Sequence, residues 1–362
     1  MIDGRWGQKR ERECTRRRTG LRRFAAGGLA FLVMSFLLAG CTPPRREDGR
    51  LKVTATLFSQ YDFAKQIGGE WVDVQLIVSA GMDSHSFEPT PSDMLDIQHS
   101  DVFLYNGGEM EYWVGEVLES MNPGPAVTVR MMDYVDVVEE ESVEGMEIEK
   151  SHLHDGHSHV DGIEEDHDHE EEEEHFHESE DDHFHEIEYD EHIWTSPKNA
   201  MKMAVAIADA LSQADPAHEA DYKANLEAYL KKLEALDQEF REVVSQASRK
   251  IIIFGDKFPF RYFADEYGLE YRAAFPGCGT DTEPSIDTML YLIDKVRQEQ
   301  IPVVYYLELS STKIARTISE ETGAKALLLH SCHNVSKEDF KNQVTYLELM
   351  EQNVKNLREG LQ

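Results

Sequence analysis

Ten of the chain's 16 histidines fall in residues 139–191, in H-x-H pairs: His152 with His154, His157 with His159, His167 with His169, His175 with His177, and His183 with His185. The same stretch holds 25 Asp/Glu and one Lys. Imidazole nitrogen and carboxylate oxygen are ligands for divalent transition metals. The tract therefore reads as a set of weak, exchangeable and redundant metal sites. An acidic spacer for solubility needs acid alone and gives no reason for paired imidazoles. Without apolar periodicity the stretch has no core to build, and it is expected to be disordered without ligand.

Two other histidines stand where a folded domain could hold one ion firmly. His85 lies in GMDSHSFEPTPSD, after a strand pattern and before a helix with Pro91 in its first turn and Ser92 or Asp93 as its cap. His192 lies in DEHIWTSP, with Pro197 placed to start the next helix. Strand-to-helix loops are where α/β sheets place ligand groups. A lone histidine on such a loop is more often a surface residue, but here there are two. Each is flanked by Phe or Trp and by Pro, which can fix its loop.

The elements that must position them alternate. LKVTATL, VDVQLIV and DVFLYN read as strands, interleaved with helical patterns in FSQYDFAKQIGG, TPSDMLDIQHS and EMEYWVGEVLESM. After residue 250 the theme repeats with the strands KIIIFG, EYRAAFP, IPVVYYLE and ALLLH, and with helices between and after them, the last from about Asp339. Uninterrupted apolar runs such as IIIF and ALLL mark strands buried on both faces, as in parallel sheets covered by helices. The fold expected is α/β, with two pseudo-symmetric lobes built on mostly parallel sheets. Residues 218–249 lack Pro and Gly, and Tyr222, Leu226, Tyr229, Leu233, Leu236 and Phe240 recur at helical spacing. They predict a rod of roughly 45 Å that joins the lobes stiffly.

Charge narrows the partners. Lys+Arg number 36 against 70 Asp+Glu, a net −34 in 362 residues. Such a surface repels phosphate backbones, which excludes nucleic acid, and it suits cations. Residues 1–40 run against this balance, with nine Lys/Arg and three Asp/Glu, and the 17 residues 24–40 are apolar and small. They read as a secretory leader; a retained signal anchor is the alternative. No GxxxxGK[ST] loop is present, so the chain is not the ATPase of a transporter. No HExxH is present, which removes the commonest signal of a metallohydrolase.

Leu38-Ala39-Gly40-Cys41 resembles the bacterial lipobox, in which Cys41 is lipidated and becomes the mature N-terminus. Residues 41–50 then form a tether, and the lipid anchors the chain outside the cytoplasm. G-x-D-x-H-x-F-E-P-T-P-S-D and D-x-H-x-W-x-S-P resemble the signature segments of zinc/manganese solute-binding lipoproteins of ABC importers. The His-rich insertion before the second motif, the long linking helix and ETGAKALLL fit that family over about residues 51–362. The resemblance implies a metal cleft between the lobes, with His85 and His192 as ligands. It places Asp256 third, where zinc-type members carry His and manganese-type members Glu; capping of the following helix is the other role open to Asp256. It places His333 fourth, with His330 as near competitor. Glu308 is expected to hydrogen-bond a ligand imidazole or, as the alternative, to ligate directly. Three imidazoles and one carboxylate favour Zn2+, with Mn2+ as the alternative.

Cys278 and Cys332 both follow strands of the second lobe, and outside the cytoplasm a disulfide between them is expected. Residues 51–217 form the first lobe, with the tract inside it, and residues 250–362 the second. The function implied is capture of Zn2+ by a monomeric, membrane-anchored, non-enzymatic protein and delivery to an ABC permease. A manganese or iron binder, a surface adhesin and a secreted metallohydrolase are the rival readings.

Overall fold

The computed structural model describes residues 49–146, 188–278 and 283–362. Cys41 and the leader lie outside the described residues. So do all ten histidines expected to act as weak metal sites: His152, His154, His157, His159, His167, His169, His175, His177, His183 and His185. Arg50–Gln362 is one compact unit.

Strands β1 (Leu51–Ala55), β2 (Val72–Leu76), β3 (Val102–Tyr105) and β4 (Val127–Arg130) form a sheet in the order β2-β1-β3-β4. Strands β5 (Ile251–Phe258), β6 (Glu270–Pro276), β7 (Val303–Tyr306) and β8 (Lys325–Leu328) repeat that plan as β6-β5-β7-β8. Every pairing within the two sheets is parallel. The run IIIF shows why. Ile251 and Ile253 face one apolar cluster, with Ile293, Val296 and Ile318, while Ile252 and Phe254 face another, with Phe240 and Leu357. Both faces of the strand are dry, so both must be apolar. The sequence reading did not single out β4; it is short and only Val129 is buried.

Helices α1 (Phe58–Gly68), α2 (Pro91–Gln98) and α3 (Trp113–Ser120) cover the first sheet. The cap of α2 is Thr90, not Ser92 or Asp93. Thr90 Oγ1 accepts from the Asp93 N–H while the Asp93 carboxylate accepts from the Thr90 N–H, a reciprocal capping box. Helix α4 (Pro197–Ala214) starts at Pro197 as its residue type requires, with Ser196 as cap. Helix α5 (Glu219–Ser245) is the joining rod, and it packs on α1 and α4 as well as on elements of the second lobe. Its buried side chains share one apolar cluster with Phe63 and Trp194 on one side and Phe254 and Leu357 on the other. One core therefore runs through both lobes, and hinge motion would have to open it.

The second lobe adds α6 (Arg261–Tyr267), α7 (Ile286–Gln298), α8 (Lys313–Thr322), α9 (Lys337–Lys341) and α10 (Tyr346–Leu361). The single final helix expected from Asp339 is split, because Gln343 has φ 58° and Thr345 opens a new capping box with Glu348. Loops of the two lobes are stitched together. The buried Asn334 amide donates to the carbonyls of Ser79 (2.9 Å) and Met82 (2.9 Å), and the Gly81 N–H donates to the Val335 carbonyl (2.8 Å).

Two expectations are corrected. The acidic tract is not structureless to its ends: Glu139 and Tyr189 form an antiparallel bridge, Met146 is buried, and Asp190 and Glu191 are 1% and 3% exposed. The disulfide is absent, since Cys278 and Cys332 are free. They do follow strands on the same end of the sheet, but β6 and β8 are its opposite edges. Three strand spacings separate them, about 14 Å, whereas a disulfide needs Cα atoms within ~7 Å. Burial raises the pKa of both thiols, so neither is a ready thiolate.

Peptide mapping after mild oxidation of the native protein is expected to find no Cys278–Cys332 bond, and Cys332 is expected to react with an alkylating reagent only after unfolding. Asn334→Ala leaves buried carbonyls unpaired and is expected to cost about 2 kcal/mol of stability, read from the denaturation midpoint.

Candidate metal centre

His85 sits on the loop that leaves β2, and its N–H donates to Asp83 Oδ1 at 3.0 Å. His192 ends the segment that returns from the acidic tract, just before a single turn at Ile193–Thr195. His333 sits on the loop that leaves β8, and its N–H donates to Ser331 Oγ at 3.2 Å. These three loops, far apart in sequence, converge. One ring nitrogen from each of His85, His192 and His333 lies within 4.8 Å of the other two. Ring centroids are 6.0 Å apart for His85 and His192, 5.5 Å for His85 and His333, and 5.7 Å for His192 and His333. The rings line a cavity of about 310 Å³ between loops of the two lobes.

The supports are specific. The Asp190 carboxylate accepts from the His192 N–H at 2.8 Å and lies 3.2 Å from its Nδ1. That bond fixes the ring and leaves Nε2 as the donor atom for a ligand. Ser84 Oγ and His333 Nε2 share a hydrogen bond. The Trp194 indole donates to the Ser331 carbonyl at 2.8 Å and packs against His333 with centroids 5.2 Å apart. Gly277 lies against His192. A Cβ there would stand 3.4 Å from the His192 ring and 2.8 Å from the Phe258 carbonyl, so any side chain would crowd the imidazole.

Burial disfavours charge on the rings. It lowers the His85 pKa to about 4, helped by His192 and Lys257, and holds His333 well below its ordinary range for the same reasons. His192 moves the other way: burial is the largest single influence and lowers its pKa, but Asp190, Glu191 and Glu140 together outweigh it and raise the pKa. At neutral pH the cavity presents at least two neutral nitrogen donors, the form a metal requires.

The structure therefore gathers His85, His192 and His333, while Asp256, His330 and Glu308 stand outside the group. Asp256 does not cap α6. Its Oδ1 accepts from the Lys257 N–H at 2.9 Å, and its Oδ2 accepts from the Leu307 N–H at 3.0 Å and from Ser310. It braces the loop after β7. His330 is buried, its Nδ1 accepts from the Cys332 N–H at 3.0 Å, and its backbone N–H and carbonyl pair with the Asn353 side-chain amide. Glu308 accepts from the Ser331 N–H and hydroxyl and so supports the His333 loop; the imidazole beside it is His330, with Nδ1 3.6 Å away, not one of the three gathered rings. The acid that bonds one of the gathered rings is Asp190, which the sequence reading counted with the acidic tract. The D-x-H spacing was its only signal. Ser84, Gly277 and Lys257 carried none.

A family model described as the zinc-uptake complex component A, periplasmic (ZnuA), matches residues 53–360. The chain is 32% identical over 331 residues to the zinc-binding lipoprotein AdcA of Streptococcus pneumoniae serotype 4, covering 91% of this chain and 60% of that one. It is 33% identical over 312 residues to the high-affinity zinc uptake system protein ZnuA of Bacillus subtilis, covering 86% of this chain and 88% of that one. The crystal structure of the Zn(II)-bound ZnuA-like domain of S. pneumoniae AdcA superposes with a TM-score of 0.65 at 27% identity, covering 86% of this chain and 99% of that domain. This chain thus spans about 60% of the length of the AdcA relative. With a match over nearly all of the compact unit, and a relative 33% identical along most of its own length, the chain belongs to the family of zinc-uptake complex component A, periplasmic.

Proposed function

We propose that this chain captures Zn2+ outside the cytoplasm and delivers it to an ABC-type membrane importer. One observation carries the reading: three imidazoles from loops of two lobes lie within 4.8 Å of one another in a shared cavity. Nitrogen donors of this kind suit zinc better than Mn2+, which prefers oxygen. Family membership supports delivery to a partner complex. The leader at 1–40, lipidation of Cys41, the tether to residue 50, and lobes at 51–217 and 250–362 complete the arrangement. The tract serves as a reservoir that raises the local metal concentration. Catalysis forms no part of this reading.

The roles assigned to the histidines predict three results. His85→Ala or His333→Ala should weaken Zn2+ binding by roughly 100-fold or more, and Asp190→Asn by about 10–100-fold, in competitive titration against a chromophoric chelator. Replacing residues 147–187 with a short linker should leave one tight site and lower the total number of ions bound; loss of the tight site would rule out the reservoir. The pH dependence has a defined shape. A proton competes first at His192, whose pKa is raised, so affinity should begin to fall as pH drops through a value above 6.5. The slope should stay near one decade per pH unit, because one proton is displaced. It should steepen only as His85 begins to protonate, near 4. Three ordinary imidazoles would instead give a slope approaching three just below 6.5.

The apo protein has its own sign. His85 and His333 are protonated in the unfolded chain before the folded one. Their contribution destabilises the fold as pH falls below about 6.5 and levels off below their folded values. His192 opposes this by holding its proton in the folded state to higher pH.

A further inference from the structure

Capture of a dication leaves one group of the cavity unused. Lys257 lies on β5, is half-buried, and lines the cavity of about 310 Å³ with the three histidines. Its positive charge reaches the His85 and His333 rings. Among the described residues its ammonium has no ion-pair or hydrogen-bond partner. The three acids that line the same cavity are engaged elsewhere: Asp83 with the His85 N–H, Glu308 with Ser331, and Asp256 with Lys257 N–H, Leu307 N–H and Ser310.

The donor count matters here. Three imidazoles give a captured ion three neutral ligands, and zinc takes four. An open coordination position on a dication, with an unpartnered ammonium lining the same cavity, attracts an anion at short range, while Asp83, Asp256 and Glu308 keep their negative charge at the cavity wall. The species that answers it is small, negatively charged and able to give one lone pair to the metal.

We propose that Lys257 recruits a monodentate inorganic anion of the halide class into the fourth coordination position, so that metal and anion are taken up together. This rests on the capture reading above. The anion donates a lone pair to the metal and accepts a hydrogen bond from the ammonium, and no proton or electron is transferred. Lys257 acts as a selectivity residue for the anion, and it ties metal affinity to the salt present.

The test uses the full chain with one equivalent of Co2+, whose visible bands report its ligands. Chloride, and separately azide, is titrated against perchlorate at constant ionic strength. Saturable band shifts are expected in the parent protein. Lys257→Met should raise the half-saturating anion concentration by roughly tenfold or more, and Lys257→Arg should restore it. Zn2+ affinity should rise with chloride in the parent, and in Lys257→Met the same rise should need roughly tenfold more chloride or more. A Co2+ spectrum that His85→Ala abolishes but no anion alters sinks the anion proposal alone, as it would if Asp256 swung in to complete the set. A Co2+ spectrum indifferent to His85→Ala overturns the capture reading and this one with it.

Discussion

Three imidazoles held within 4.8 Å of one another are a constraint that water cannot satisfy well. In bulk solvent each would protonate near pH 6.5, and three positive rings at that separation would repel. The fold removes the option by burial: His192 is 1% exposed and His333 is enclosed between Ser84 and Trp194. Two of the rings are left short of protons and one keeps an acid beside it. The remaining architecture can be read as what it takes to hold that arrangement against its own tendency to spread.

Much of it is backbone logic. Parallel strands send their C-terminal ends to one side of each sheet, and the loops after β2 and β8 meet where His85 and His333 stand 5.5 Å apart between ring centroids. Asn334 then fastens one loop to the other through two backbone carbonyls, and the core shared by α5 and α10 denies the lobes freedom to swing apart. Stiffness of this kind favours a preorganised cage. The ion finds donors in position and does not have to pay the entropy of assembling them.

Legibility followed periodicity and chemistry. IIIF and the heptad-like spacing of Tyr222, Tyr229, Leu236 and Phe240 announced buried strands and a long helix because each is a local pattern. His85 and His192 were legible from composition of their own loops, and His333 only through resemblance to a family. What failed was non-local. Cys278 and Cys332 leave opposite edges of their sheet, and strand order is something no local window contains. Asp190 looked like one more acid among 25 until the backbone turned its carboxylate back on His192. Asp256 stands at a matched ligand position and lines the cavity, and which groups its oxygens bond there (the Lys257 and Leu307 N–H groups and Ser310) was not readable from its place in the chain. Position along the chain predicts which residues meet; it does not say which of their hydrogen bonds are already taken.

The bridge between Glu139 and Tyr189, with the Glu140 N–H donating to the Glu188 carbonyl at 3.0 Å, joins the two ends of the histidine-bearing segment at one point. Whatever enters there also leaves there. Doubling the length of a closed loop costs only about 0.6 kcal/mol, so the number of residues between the two bridged ends is a weak constraint on the lobe that carries them. Evolution, or an engineer, can therefore lengthen, shorten or rewrite residues 147–187 as a cassette while the cage beside them keeps its shape.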